Sequence, residues 1–223
     1  METIVGLDLG QAADYTALSV VEVNPTVYTN RVQYRNPVNY CLDYYDQKIE
    51  RPPLSFNVRH LERFAIGTSY PDVVKRVKEI FAKLPAGTTL VVDGTGVGRP
   101  VVDMLAQQGL RPVCITITGG DTVTQDGAWF RVPKRDVVGV LAVAFQNKKL
   151  KIARTLSYAE TLVSELLNFK VKINLKTAHD SYEAWREGVH DDLVLSVGLA
   201  AWTAHFYYQN RKYVYTFEDD YRI

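Results

Sequence analysis

The chain has 223 residues, with 26 basic and 25 acidic side chains for a net charge near +1, and it is 47% apolar and 23% charged. A chain of that size and make-up is ordinary for one soluble globular domain and needs neither disulfides nor a structural metal to hold a core. The near-neutral total does not by itself point to nucleic acid, and no run reaches the 18 or so apolar residues of a membrane span.

Residues 3–8 form a short apolar run ending in Asp-Leu-Gly, which reads as a buried strand. Residues 15–23 are rich in β-branched side chains and 26–34 alternate valine and tyrosine with polar residues. With Asn24-Pro25 taken as the turn between them, the three segments make an antiparallel meander. Residues 36–53 show no clear period and read as a loop or insertion, and 57–65 as a further strand. A helix is expected from Ser69, with Pro71 and Asp72 in its first turn and Val73, Val74, Val77, Ile80, Phe81 and Leu84 at helical spacing, stopped by Pro85-Ala86-Gly87.

Residues 88–93 give a second apolar strand that again ends in aspartate. The pattern then predicts a helix over 100–108, a buried strand over 112–118, an irregular hairpin over 119–132 and a helix over 133–147. A short strand at 150–153 and a helix at 157–169 follow, then a polar stretch to about 188. A last helix starts at His190-Asp191-Asp192, with Val194, Val197, Ala201 and Ala204 along one face. Three front strands followed by alternating helices and strands predict an α/β fold, a mixed sheet flanked by helices. Residues 1–210 are taken as one domain and 211–223 as a tyrosine-rich tail. Cys41 and Cys114 lack any paired spacing and read as two reduced thiols. No basic leader precedes an apolar stretch, so no signal peptide is expected.

The placement of acidic residues carries the chemistry. Asp8 ends the first strand, Asp93 ends a later one, and Asp191 and Asp192 open the final helix. An uncompensated carboxylate beside a core is expensive, and strand ends are where sites form in α/β sheets. Several carboxylates brought together raise one another's pKa. Hard oxygen ligands without a histidine or cysteine cluster suit Mg²⁺ or Mn²⁺, and two such ions can drive phosphodiester hydrolysis. Taken singly, the residues also have plain structural readings: Asp191 and Asp192 as a helix cap, Asp93 before Gly94 as a turn residue. Arg131, Lys134 and Arg135 bracket a hairpin end and helix start, and Lys134 is the candidate for neutralising phosphate charge. Arg99 could contact a phosphate backbone, and Lys148, Lys149, Lys151, Lys170, Lys172 and Lys176 form either a duplex-binding face or a solvated edge. Trp129, Trp185 and Trp202 read as packing residues. His60, His179 and His205 lack metal-like spacing.

Four segments in order resemble the nuclease domain of viral terminase large subunits. They are Gly6-Leu7-Asp8-Leu9-Gly10 with Asp14-Tyr15-Thr16-Ala17, Val91-Val92-Asp93-Gly94-Thr95-Gly96-Val97-Gly98, Val132-Pro133-Lys134-Arg135-Asp136, and His190-Asp191-Asp192-Leu193-Val194. The resemblance spans about residues 4 to 205, and it is the ordered set that is specific. It implies a ribonuclease H-like fold and a metal-dependent endonuclease that cuts double-stranded viral DNA during genome packaging. Asp8, Asp93 and one or both of Asp191 and Asp192 would hold two Mg²⁺ or Mn²⁺ ions, with Lys134 beside them. His190 would position a water or phosphate, or cap its helix. Asp14 would be an outer ligand or a turn residue. The implied partners are a packaging ATPase domain, a portal and a small terminase subunit, in the host cytoplasm.

The pattern departs from that family in two places: Asp93 stands where many relatives carry glutamate, and no G-x-x-x-x-G-K-[ST] phosphate loop is present, so this polypeptide alone is not expected to translocate DNA. Three alternatives stay open, one of them a catalytically silent DNA-binding module whose acidic cluster is structural. An actin- or sugar-kinase-type nucleotide-binding domain shares the Asp-Leu-Gly and Asp-Gly-Thr-Gly-Val-Gly loops but gives no role to Asp191-Asp192, and a junction-resolving nuclease shares the metal chemistry.

Overall fold

The computed structural model describes residues 2–10, 14–96, 98–173 and 191–210. Strand β1 (Glu2–Asp8) is followed by two long strands, β2 (Ala17–Arg35) and β3 (Leu42–Arg63), then helix α1 (Tyr70–Phe81) and β4 (Thr89–Asp93). Next come α2 (Gly98–Gln107), β5 (Val113–Thr118), the hairpin β6 (Thr124–Asp126) and β7 (Trp129–Pro133), and α3 (Lys134–Gln146). The described chain ends with β8 (Leu150–Ile152), α4 (Ala159–Ile173) and α5 (Asp192–Asn210). The strands make one sheet in the order β6-β7-β5-β4-β1-β2-β3-β8. β1 to β3 pair antiparallel, β4, β5 and β7 continue parallel to β1, and β8 lies parallel to β3. This is the expected mixed sheet flanked by helices.

The central strands read as near-continuous apolar runs because both faces are covered. Alternate residues serve the two sides. Ile4, Val21, Val91 and Ile115 pack with α3, α4 and α5, whereas Val5, Leu7, Leu18, Leu90 and Val92 pack with α1 and α2. Helix α1 starts as its sequence signals say: the Ser69 hydroxyl accepts from the Asp72 N–H, and Val73, Val74, Val77 and Ile80 are buried. Helix α5 is apolar on nearly every side rather than on one face. Its residues from Leu193 to Ala204 are almost all buried between the sheet and two other helices, as an all-round apolar helix requires.

The front of the sheet differs from the sequence reading. Asn24-Pro25 is not a turn between strands, and 36–53 is not a loop: β2 runs through the first, and β3 takes in most of the second. The turn lies at 37–39. The pairing Asn24↔Ser55 steps to Thr26↔Arg51, so Pro25 opposes Pro52, Pro53 and Leu54 in an irregularity of the ladder. Proline cannot donate to a ladder and is tolerated where the ladder is interrupted. The prolines therefore mark a bulge inside one long ribbon. Because β1 pairs with β2 only from Ala17 to Val23, the outer part of the ribbon extends from the end of the sheet opposite Asp8.

Candidate active site

Two carboxylates are brought together by strand register alone. β1 and β4 are parallel neighbours with Leu7 opposite Val92, so Asp8 and Asp93 follow side by side at the same sheet end, on strands about 4.8 Å apart. Side chains alternate along a strand, so Asp8 shares a face with Ile4 and Gly6, and Asp93 with Val91: the face that α5 covers. Both aspartates are buried.

Helix α5 delivers the other two. A Cβ on Gly6 would lie 1.9 Å from the Ser196 carbonyl oxygen, so only glycine lets the helix backbone rest directly on β1. Asp192 lies one turn before Ser196, toward the strand ends, which sets the first turn of α5 over Asp8. The fourth contributor is α3. β7 runs parallel to β5, with Pro133 opposite Thr118, and delivers Lys134 to the same end; its Nζ donates to Asp191 Oδ2 at 3.2 Å.

The electrostatics record this convergence. Asp8 is held well above the usual carboxylate range, first by burial and then by the charges of Asp93, Asp192 and Asp191, with Lys134 opposing. Asp93 is also raised by burial, offset by hydrogen bonds from Thr95 and by Lys134. Its Oδ1 accepts from the Thr95 N–H at 2.7 Å, while the Thr95 hydroxyl accepts from the Ile117 N–H at 2.8 Å. Asp93 is thus a turn residue and a member of the acidic group at once.

Two members were not legible as site residues. Arg63 ends β3 at the same sheet edge; its Nη2 bonds Glu165 Oε1 and lies 3.4 Å from Asp192 Oδ2. Glu165, on α4, accepts the Val194 N–H through Oε2 at 3.1 Å. Val194 in the first turn of α5 is thus capped from another helix, and the paired aspartates face Lys134 and Arg63. Glu165 is pushed up to about 7 by burial, against the pull of Val194 and Arg63. Its signal in the sequence is a glutamate on the buried stripe of a helix, between Leu162 and Leu166.

Other candidates fall elsewhere. Asp14, in the segment between β1 and β2, is exposed. Arg135 is occupied by Asp121 at 2.6 Å, and Arg99 lies over the Trp129 ring at 5.9 Å. Lys148, Lys149 and Lys151 sit at the start of the edge strand β8, where Leu150 pairs with Phe56. Phe56 is seven residues before Arg63, roughly 20 Å along the strand from the acidic end, so these lysines do not join the cluster. Lys170 and Lys172 fall at the end of α4; His190, His179, Lys176, Trp185 and the tail 211–223 lie outside the described residues. Trp202 packs in the core against Phe130 and Phe206, and His60 bonds Glu62.

As the side chains stand, no three His, Cys, Asp or Glu among the described residues are arranged as a formed metal centre. Among the described residues the donor set nevertheless fits a hard divalent cation: four carboxylates without sulfur or imidazole, one of them raised by burial and by the charge of the other three. Neutralisation is supplied here by Lys134 and Arg63.

No family model and no curated protein matches the chain. Among solved structures, the large terminase nuclease from thermophilic phage G20c superposes with a TM-score of 0.51 at 19% identity, covering 89% of this chain and 80% of that one. The chain has the terminase nuclease fold. A human cytomegalovirus terminase nuclease domain, soaked with manganese and bound to an inhibitor, gives 0.50 at 12% identity over 93% of this chain and 85% of that one. At such identities the likeness is one of fold, the ribonuclease H-like mixed sheet.

Proposed function

We propose that this protein is a metal-dependent endonuclease that cleaves double-stranded DNA during viral genome packaging. The observation that carries the reading is the convergence of Asp8, Asp93, Asp191 and Asp192, from three separate elements, on the point where Lys134 also arrives. The shared fold with terminase nucleases, one of them studied with manganese, supports it. The actin- or sugar-kinase-like alternative leaves the Asp191-Asp192 pair without a task, and a branched-DNA substrate has no observation in its favour.

In this reading Asp8 and Asp93, with one or both of Asp191 and Asp192, hold two Mg²⁺ or Mn²⁺ ions. Held there, such ions would supply activation of a water and stabilisation of the leaving oxygen of the phosphodiester. The protein's own residues do the rest. Burial of Asp8 and Asp93 keeps their oxygens in a poorly hydrated setting where electrostatic interactions are strong. Lys134 has its ammonium group beside Asp191, placed to offset phosphate charge when the backbone of DNA approaches. The packaging ATPase, portal and small subunit belong to the same proposal as partners, and the host cytoplasm as its place.

Digestion of supercoiled plasmid tests the activity. Nicked and linear products are expected with Mn²⁺ or Mg²⁺ and none with excess chelator; tight ATP binding without any cleavage would favour the nucleotide-binding alternative instead.

A further inference from the structure

We infer that Arg63 and Glu165 are positioning residues that fix how Asp192 faces Asp8 and so set how tightly the acidic site holds a divalent cation; this rests on the nuclease reading above. Neither residue belongs to the four-carboxylate set, and both are built into the layer beneath it. Glu165 is 6% exposed, on the side of α4 that faces α5. One of its oxygens takes the Val194 N–H in the first turn of α5, the other takes the Arg63 guanidinium. Arg63 in turn reaches Asp192 at 3.4 Å and lies 4.8 Å over the Tyr15 ring. Four elements are joined through one guanidinium: β3, α4, the segment between β1 and β2, and the N-terminus of α5.

The chemistry explains why these residue types are present. A buried ion pair gives little net stability, because desolvation offsets the attraction; its value lies in holding groups in one arrangement. Arginine offers several donors in a rigid fork and can serve two carboxylates at once, which a lysine ammonium does less well. The side chain is 13% exposed and enclosed by its partners, so it orients a ligand rather than meeting DNA. Without Glu165, Arg63 has only Asp192 to neutralise and competes with a cation for it, while the Val194 N–H loses its acceptor and the first turn of α5 loosens. Both effects weaken the site. Loss of an outer partner of this kind costs about 10–100-fold in metal affinity.

The test is Mn²⁺ titration of the DNA-free protein, by calorimetry and by the electron paramagnetic resonance of free Mn²⁺, for wild type, Glu165→Ala, Glu165→Gln and Arg63→Lys. Glu165→Ala is expected to lose about 10–100-fold in Mn²⁺ affinity. Glu165→Gln, whose single amide oxygen can accept from Val194 or from Arg63 but not from both, is expected to fall between Glu165→Ala and the wild type, and Arg63→Lys to lose affinity while keeping its charge. A purely structural role would lower the urea midpoint but leave Mn²⁺ affinity unchanged. Wild-type affinity in both Glu165→Ala and Arg63→Lys overturns the inference alone. Should Glu165→Ala not fold, Arg63→Lys decides by itself, wild-type affinity again overturning it. A wild-type protein that binds no Mn²⁺ overturns the nuclease reading and this inference with it.

Discussion

Asp8 illustrates the tension between stability and chemistry at a single residue. Its carboxyl is raised because the fold buries it among three like charges, so ionising it costs more in the folded chain than in the unfolded one. A raised folded pKa gives stability that is fully present below the unfolded aspartate value, about 3.9, and is lost as pH rises through the folded value. In chelator, the urea midpoint of the wild type is therefore expected to fall relative to Asp8→Asn across that window. At neutral pH the Asn variant should be the more stable, by roughly 2–4 °C in Tm for each kcal/mol gained. It should also be unable to cut plasmid. Equal midpoints at every pH would show that the carboxylates do not repel, and retained cutting would remove Asp8 from the mechanism. Asp8 and Asp93 were legible because each closes an apolar run; Arg63 and Glu165 were not. A charged residue ending a strand is ordinary in a sequence, and only the folded chain shows which buried partner it meets across about a hundred residues.

Secondary-structure elements were legible where local chemistry and long-range pairing agree. Helix α1 ends at Phe81, short of the stop expected at Pro85-Ala86-Gly87, but it carries its own cap, first-turn proline and apolar stripe, and so declares its start. The β2–β3 ribbon does not. Its prolines signal turns locally, while the cross-strand ladder that overrides them is a tertiary fact. Helix α5 shows how one small residue governs an element. Gly6→Ala forces the Ser196 carbonyl away from β1, and backbone cannot yield as a side chain tip can. A loss at or above the upper end of the usual overpacking range, about 1–3 kcal/mol, is expected in urea unfolding, with weaker Mn²⁺ binding because the first turn of α5 moves. Gly198→Ala meets the Val137 side chain at 3.0 Å and backbone no closer than the Val137 carbonyl oxygen at 3.7 Å, and should cost less. Equal costs would contradict the close helix–sheet approach as the feature that places Asp192.

For the whole molecule, the sheet buried on both faces separates its two thiols. Cys41 is exposed beside the ribbon turn, whereas Cys114 lies inside β5, where burial pushes its thiol up to about 11. One thiol should react promptly with a disulfide reagent in the native protein and the second only at the rate of global opening; two prompt equivalents would mean that the central strands open locally. The fold class was legible from element order, and its agreement with terminase nucleases is an agreement of architecture. The proposed chemistry requires that Asp8, Asp93, Asp191 and Asp192 share cations. Anomalous scattering at the manganese edge from Mn²⁺-soaked crystals tests that most directly. Peaks among Asp8, Asp93 and Asp191 or Asp192, lost in Asp8→Asn, are the expected result; manganese bound only elsewhere, with the four carboxylates still held by Lys134 and Arg63, would contradict it.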